Sequence, residues 1–109
     1  MGVDQAWEKF SSEIRFALVS NASLQERLSG LVSGVSHLQR DSFPDDHAWD
    51  EFRKLLNEVT KRGSRLQGGE RIQDATSQMS DEKAGEYLQS AFEIYAHLAK
   101  AFGRTEFVI

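Results

Sequence analysis

Apolar side chains recur at three- and four-residue steps along almost the whole of this 109-residue chain, and no stretch of alternating polar and apolar residues competes with them. Successive residues of an α-helix turn by about 100°, so this rhythm gathers side chains on one helical face, whereas a half-buried strand needs a period of two. The pattern restricts the chain to an all-α fold. A chain of this length suits one domain, able to bury roughly 60–65 % of the surface its unfolded form exposes. Residues 1–109 are therefore read as a single helical bundle.

The first helix is expected over residues 4–19, with Asp4 as N-cap and Trp7, Phe10, Ile14, Ala17 and Leu18 on its buried stripe. Phe16 and Val19 fall off that stripe and widen the apolar surface, as suits a helix touched by two neighbours. After the break at Ser20-Asn21-Ala22, Ser23-Leu24-Gln25-Glu26 has capping-box spacing. There the serine oxygen accepts the Glu26 N–H and the glutamate reaches back to the serine N–H. A second helix follows to about residue 40 on Leu24, Leu28, Leu31, Val32, Val35 and Leu38. Gly30 and Gly34 stand four apart within it, each costing about 1 kcal/mol against alanine. Close packing of another backbone, from this chain or a second copy, is the expected compensation.

Pro44 is the only proline, and its missing N–H has no duty in the first turn of a helix, so a third helix is expected to begin near residues 42–44. Asp45, Asp46, Asp50 and Glu51 at its start and Lys61 and Arg62 at its end agree with the helix dipole, and Gly63 supplies a left-handed stop. Asp50 with Lys54 and Glu58 with Arg62 have favourable four-residue spacing; Trp49, Phe52, Leu55, Leu56 and Val59 form the buried stripe. Residues 63–69 read as a loop. A short helix follows on Ile72, Ala75, Thr76 and Met79. Ser80 then caps a last helix with an acidic first turn, Asp81 and Glu82, running to about residue 102. Its stripe is Ala84, Leu88, Ala91, Tyr95, Leu98 and Phe102, widened by Tyr87, Ile94 and Ala101, with Gly103 as the stop. The tail 104–109 ends in Phe107-Val108-Ile109 and is expected to pack back on the bundle. Short links between consecutive helices imply antiparallel neighbours: four main helices plus a short one before the last.

Composition narrows the functional classes. There is no cysteine, which removes disulfides, thiolate catalysis and cysteine-based metal centres and favours a cytoplasmic setting. The first residues lack a basic region followed by an apolar run, and no stretch approaches the 18 or so apolar residues of a membrane span. With 17 acidic against 13 basic side chains, a net charge of −4, the chain repels phosphate backbones, and nucleic acid is not an expected partner. Serines are plentiful, yet none sits in a nucleophile elbow, and no Walker loop or dinucleotide fingerprint occurs. No catalytic residue and no cofactor is expected.

Three weaker constellations remain. His47-x-x-x-Glu51 and Glu93-x-x-x-His97 each place an imidazole and a carboxylate on one helical face, a metal-binding geometry, although carboxylate-bridged di-metal bundles use Glu-x-x-His instead. Lys61, Arg62, Arg65 and Arg71 bracket Gly68-Gly69 ahead of a helix start, where exposed N–H groups could hold an anion. Trp7 and Trp49 lie on apolar stripes, which suits core residues, and tryptophan also anchors protein interfaces.

Leu24-Gln25-Glu26-Arg27-Leu28, Phe43-Pro44 followed by Phe52 and Leu55, Ala75-Thr76, and Met79-Ser80-Asp81-Glu82-Lys83-Ala84 together resemble a family of short bacterial helical proteins without assigned activity. Trp49 among acidic neighbours and Lys83 depart from that pattern. The resemblance implies a small cytosolic bacterial protein and supplies no catalytic residue. Together these readings predict a non-enzymatic bundle that acts through protein contacts, as a regulatory or adaptor partner or as a homodimer, with Gly30, Gly34, Trp7 and Trp49 as interface candidates. The alternative is a bundle that binds an anionic small molecule or a metal.

Overall fold

The computed structural model describes residues 5–61 and 68–102, with side chains described throughout except at 68–71. Five α-helices follow one another: α1 (Gln5–Val19), α2 (Leu24–Val35), α3 (Asp46–Thr60), α4 (Gly68–Ser77) and α5 (Asp81–Ala101), with one 3-10 turn, Arg40–Ser42, between α2 and α3. Among the described residues there is no strand, and no helix is long and apolar enough to cross a membrane. The all-α expectation holds. Asp4, Gly63 and Gly103 and the tail at 104–109 lie outside the described residues.

Each boundary has a local chemical cause. Ser23 caps α2 by accepting the Glu26 N–H at 3.1 Å, while the Glu26 carboxylate accepts from the Ser23 hydroxyl at 3.2 Å. The glutamate thus closes the cap through the hydroxyl rather than through the backbone N–H that a capping box uses. Ser80 caps α5 in the same way, taking the Lys83 N–H at 3.1 Å. Helix α2 ends at Val35, short of residue 40: the Leu38 N–H turns back to the Val35 carbonyl at 3.1 Å, and the Ser36 hydroxyl bonds Ser33 at 3.0 Å. Leu38 still reaches the core because the chain folds inward as it leaves the helix.

Helix α3 starts later than expected. Asp45, extended at φ −154° and ψ 171°, accepts the Ala48 N–H at 2.8 Å and becomes the N-cap, which leaves Pro44 before the helix rather than in its first turn. The turn leading in is held by Arg40, whose guanidinium meets Asp46 at 2.8 Å and the Phe43 carbonyl at 3.2 Å. Helix α4 begins at Gly68, inside the stretch read as loop; its Thr76, fully buried, satisfies its hydroxyl on the Ile72 carbonyl at 3.0 Å. The expected Asp50–Lys54 ion pair is not closed.

One core unites the helices. Phe10 of α1 meets Phe52 of α3 edge-on at 6.0 Å, and Phe43 lies 4.9 Å from Phe52 and 5.4 Å from Trp49, so residues from α1, α3 and the turn between α2 and α3 share an aromatic cluster. Leu28, Val32, Val35, Val59, Tyr95 and Leu98 surround it. Neighbours along the chain are not always neighbours in space: α2 packs against α1, α4 and α5, while α3 packs against α5 and α4. Contact with α1, α2 and α3 together explains why α5 buries Tyr87 and Ile94, placed at the margin by periodicity, while Leu88 and Phe102 of the expected stripe stay half-buried and Ala101 is exposed. Gln25 ties the start of α2 to the junction before α5, donating to the Met79 carbonyl and the Asp81 carboxylate, both at 2.9 Å.

Candidate functional site

Two surfaces stand out. The first is a groove of about 380 Å³ between α3 and α5, floored by Ala48, Leu55, Tyr87 and Ile94. Asp45 and His47 lie at the beginning of α3 and His97 near the end of α5, so the geometry of the groove's end is set by the α3 cap. The carboxylate of Asp45 takes the His97 Nε2 at 3.1 and 3.3 Å while still capping α3. An ionised carboxylate only accepts, so Nε2 carries the proton and donates, leaving Nδ1 of a neutral His97 as an acceptor. The His47 ring stands edge-on to His97 with centroids 5.1 Å apart. The Asp45 carboxyl is held below its ordinary range chiefly by the Ala48 N–H; burial opposes this, and the hydrogen bond and charge of His97 and the charge of His47 add to it.

Along the walls stand Glu51, Glu58, Glu86 and Glu93 against Lys54 and Lys83. Lys83 is partly committed, 3.6 Å from Glu86 and 5.3 Å over the Tyr87 ring. The groove therefore repels anions. Among the described residues, no group of three or more His, Asp or Glu side chains is arranged to hold a metal ion.

The second surface is the outward face of α1. Ala6, Phe10 and Ile14 point inward with Ser11 buried beside them, and Glu8, Ser12, Arg15, Phe16 and Val19 on the outward side, with Trp7 and Ser11 at the margin, line a shallow depression. Phe16 is 72 % exposed and Val19 80 %, with Leu18 beside them at 51 %. The sequence pattern put Leu18 on the buried stripe and gave Phe16 and Val19 a second neighbour. Instead the neighbours of α1, chiefly α2 and α5, lie on its other side and leave the last turns uncovered. Trp7 packs half-buried against the core at the edge of this face.

The chain matches no family model, no curated protein and no solved structure.

The structure brings His47 and Glu51 together with Glu93 and His97, two pairs visible separately in the sequence, along one groove. The four do not form a coordination set. Trp49 is half-buried, packed on Phe43 and Phe52 with the Arg53 guanidinium 5.6 Å from its ring centre, a wall of the core rather than an exposed anchor. Gly30 and Gly34 do not receive another backbone of this chain: a side chain at Gly30 would meet nothing within 4 Å, and one at Gly34 would meet the Glu13 carboxylate of α1. The side chains of Arg62, Arg65 and Arg71 lie outside those described. The sequence groups Asp45 with Asp46, His47, Asp50 and Glu51 as an acid/base or magnesium cluster that the helix dipole explains with less, and nothing local encodes the approach of His97.

Proposed function

We propose that this protein is a non-enzymatic helical bundle acting through protein contacts, and that the outward face of α1 makes them. One observation carries the reading: Phe16, Leu18 and Val19 lie together largely in solvent at the end of α1, on a helix whose inward face is already satisfied. Scattered exposed apolar residues are ordinary on monomers, but a contiguous group with an aromatic at its edge marks an interaction surface. Tryptophan and phenylalanine supply much contact area with little side-chain entropy to lose. The polar residues Glu8, Ser12 and Arg15 on the same face fit a partner that dissociates, since permanent interfaces are more uniformly apolar.

The test is a photo-crosslinking amino acid at position 16 in the producing cell, with position 89 on α5 as control. Protein adducts that form from position 16 and not from 89 support the reading. Equal labelling from both positions refutes it.

A second reading is favoured by the α3–α5 groove, where acidic walls over an apolar floor suit an organic cation. Spermidine added to the 15N-labelled protein then shifts the amides of Glu51, Tyr87 and Glu93 in a saturable way, and citrate does not. Uniform small shifts across the surface with either compound count against it.

A further inference from the structure

Resting on the reading of α1 as a contact surface, we infer that its occupant is a second copy of this chain, with the two α1 helices antiparallel about a two-fold axis level with the midpoint between Ser11 and Ser12. In such a pair, residues equidistant from that midpoint come level across the interface. Ser11 of one copy lies level with Ser12 of the other, Glu8 with Arg15, and Trp7 with Phe16. All six belong to the rim of the same depression.

Three features of the face fit this arrangement together. Ser12 beside the axis is exposed and small and Ser11 is buried in its own chain, so no bulky side chain stands at the axis and the helices approach to the lower end of the 8–10 Å range of packed helices. Glu8 and Arg15 are both exposed, and neither makes an ion pair within the chain among the described residues. Symmetry repeats their meeting, giving two opposite-charge contacts near the axis. A parallel pair would instead set Glu8 against Glu8 and Arg15 against Arg15, so charge alone selects the antiparallel sense. An exposed apolar residue flanks the charges: Phe16 follows Arg15 on the helix and lies 72 % in solvent at the edge of the contact. One helix face per copy is a small contact beside the roughly 1,200–2,000 Å² of a standard interface, so the dimer is weak and forms with concentration.

Sedimentation equilibrium over a hundredfold range of concentration tests this. The weight-average mass of the wild type is expected to rise from 12.3 kDa toward twice that value. Glu8→Arg and Arg15→Glu each place like charges at both symmetric contacts and weaken association roughly tenfold or more, and the double variant, with the charges exchanged, restores it. Phe16→Ser weakens association without touching the charges, and circular dichroism shows each variant to be helical. A wild type that stays at monomer mass overturns the inference, and so does a double variant no better than the single ones. If position 16 crosslinks only to a different protein, the second copy is wrong while the contact reading stands; if it crosslinks to nothing above the control, both fall.

Discussion

Replacing Gly30 by alanine should stabilise this protein, against the ordinary outcome of a substitution in a helix-packed domain. Gly30 sits inside α2, where glycine forfeits about 0.5–1 kcal/mol relative to alanine through the backbone freedom its unfolded state retains. That loss is normally tolerated when a neighbour needs the space. Here a Cβ at Gly30 meets nothing within 4 Å, so the gain has no packing penalty to offset it. At about 4 °C per kcal/mol for a chain of this size, the midpoint of thermal unfolding rises by roughly 2–4 °C. Gly34→Ala is the internal comparison. It stands near the end of α2, where the helical gain is smaller, and its new methyl displaces the Glu13 carboxylate, the free end of a side chain that swings away and loosens the Lys9–Glu13 pair at 3.7 Å. That half-buried four-residue pair is worth about 0.3–0.5 kcal/mol, so the two terms nearly cancel and the midpoint stays within about 2 °C of wild type. Melting followed by circular dichroism at 222 nm reads both. A fall in midpoint for Gly30→Ala refutes the reasoning, because it means the open space beside α2 is filled in solution.

Other perturbations follow from the same geometry. Phe52→Ala empties the centre of the aromatic cluster and should cost about 3–5 kcal/mol, a large share of the 5–15 kcal/mol that holds a domain together; a urea midpoint within 0.5 M of wild type, which corresponds to about 1 kcal/mol at this size, contradicts it. Asp45→Asn keeps an oxygen to cap α3 but removes the charge facing His97 and His47. Because the folded Asp45 carboxyl lies below its ordinary value of 3.8, its charge stabilises the fold fully above that value and ceases to as pH falls through the lower folded one. Wild type should therefore exceed the variant in stability at neutral pH and approach it as pH drops below about 4, and denaturant titrations showing a gap that widens with acid contradict the assignment. Gln25→Ala cuts both ties to the junction before α5 and should lower stability by about 1 kcal/mol; an unchanged melting curve shows that solvent replaces those bonds without loss.

The helices were legible because caps and stripes are local. Ser23 and Ser80 announced α2 and α5 by hydroxyls placed three residues before the N–H groups they accept, and Phe10, Leu28, Phe52 and Leu98 were on the right faces by spacing alone. Boundaries shifted where a tertiary pull overrode the pattern: Leu38 continues the apolar rhythm of α2 yet is buried from a turn, and Pro44 looked like a first-turn residue until Asp45 took the cap. The surfaces were less legible. Periodicity shows that Phe16 and Val19 are apolar, not which neighbour covers them, and α1 turned out to have its neighbours elsewhere. The meeting of His47 with His97 depends on the relative placement of two helices that no residue on either one specifies alone.

The carboxylate of Asp45 carries a consequence for how the molecule comes apart. The ends of helices usually fray first and independently, each opening at little cost to the rest. At the start of α3 the group that satisfies the first turn is also the one that grips His97, 52 residues further along the chain. Loosening that turn frees the end of α5, and drawing α5 away strips α3 of part of what holds its cap in place. Two helix ends remote in sequence thereby share one group, so the opening of either weakens the hold on the other.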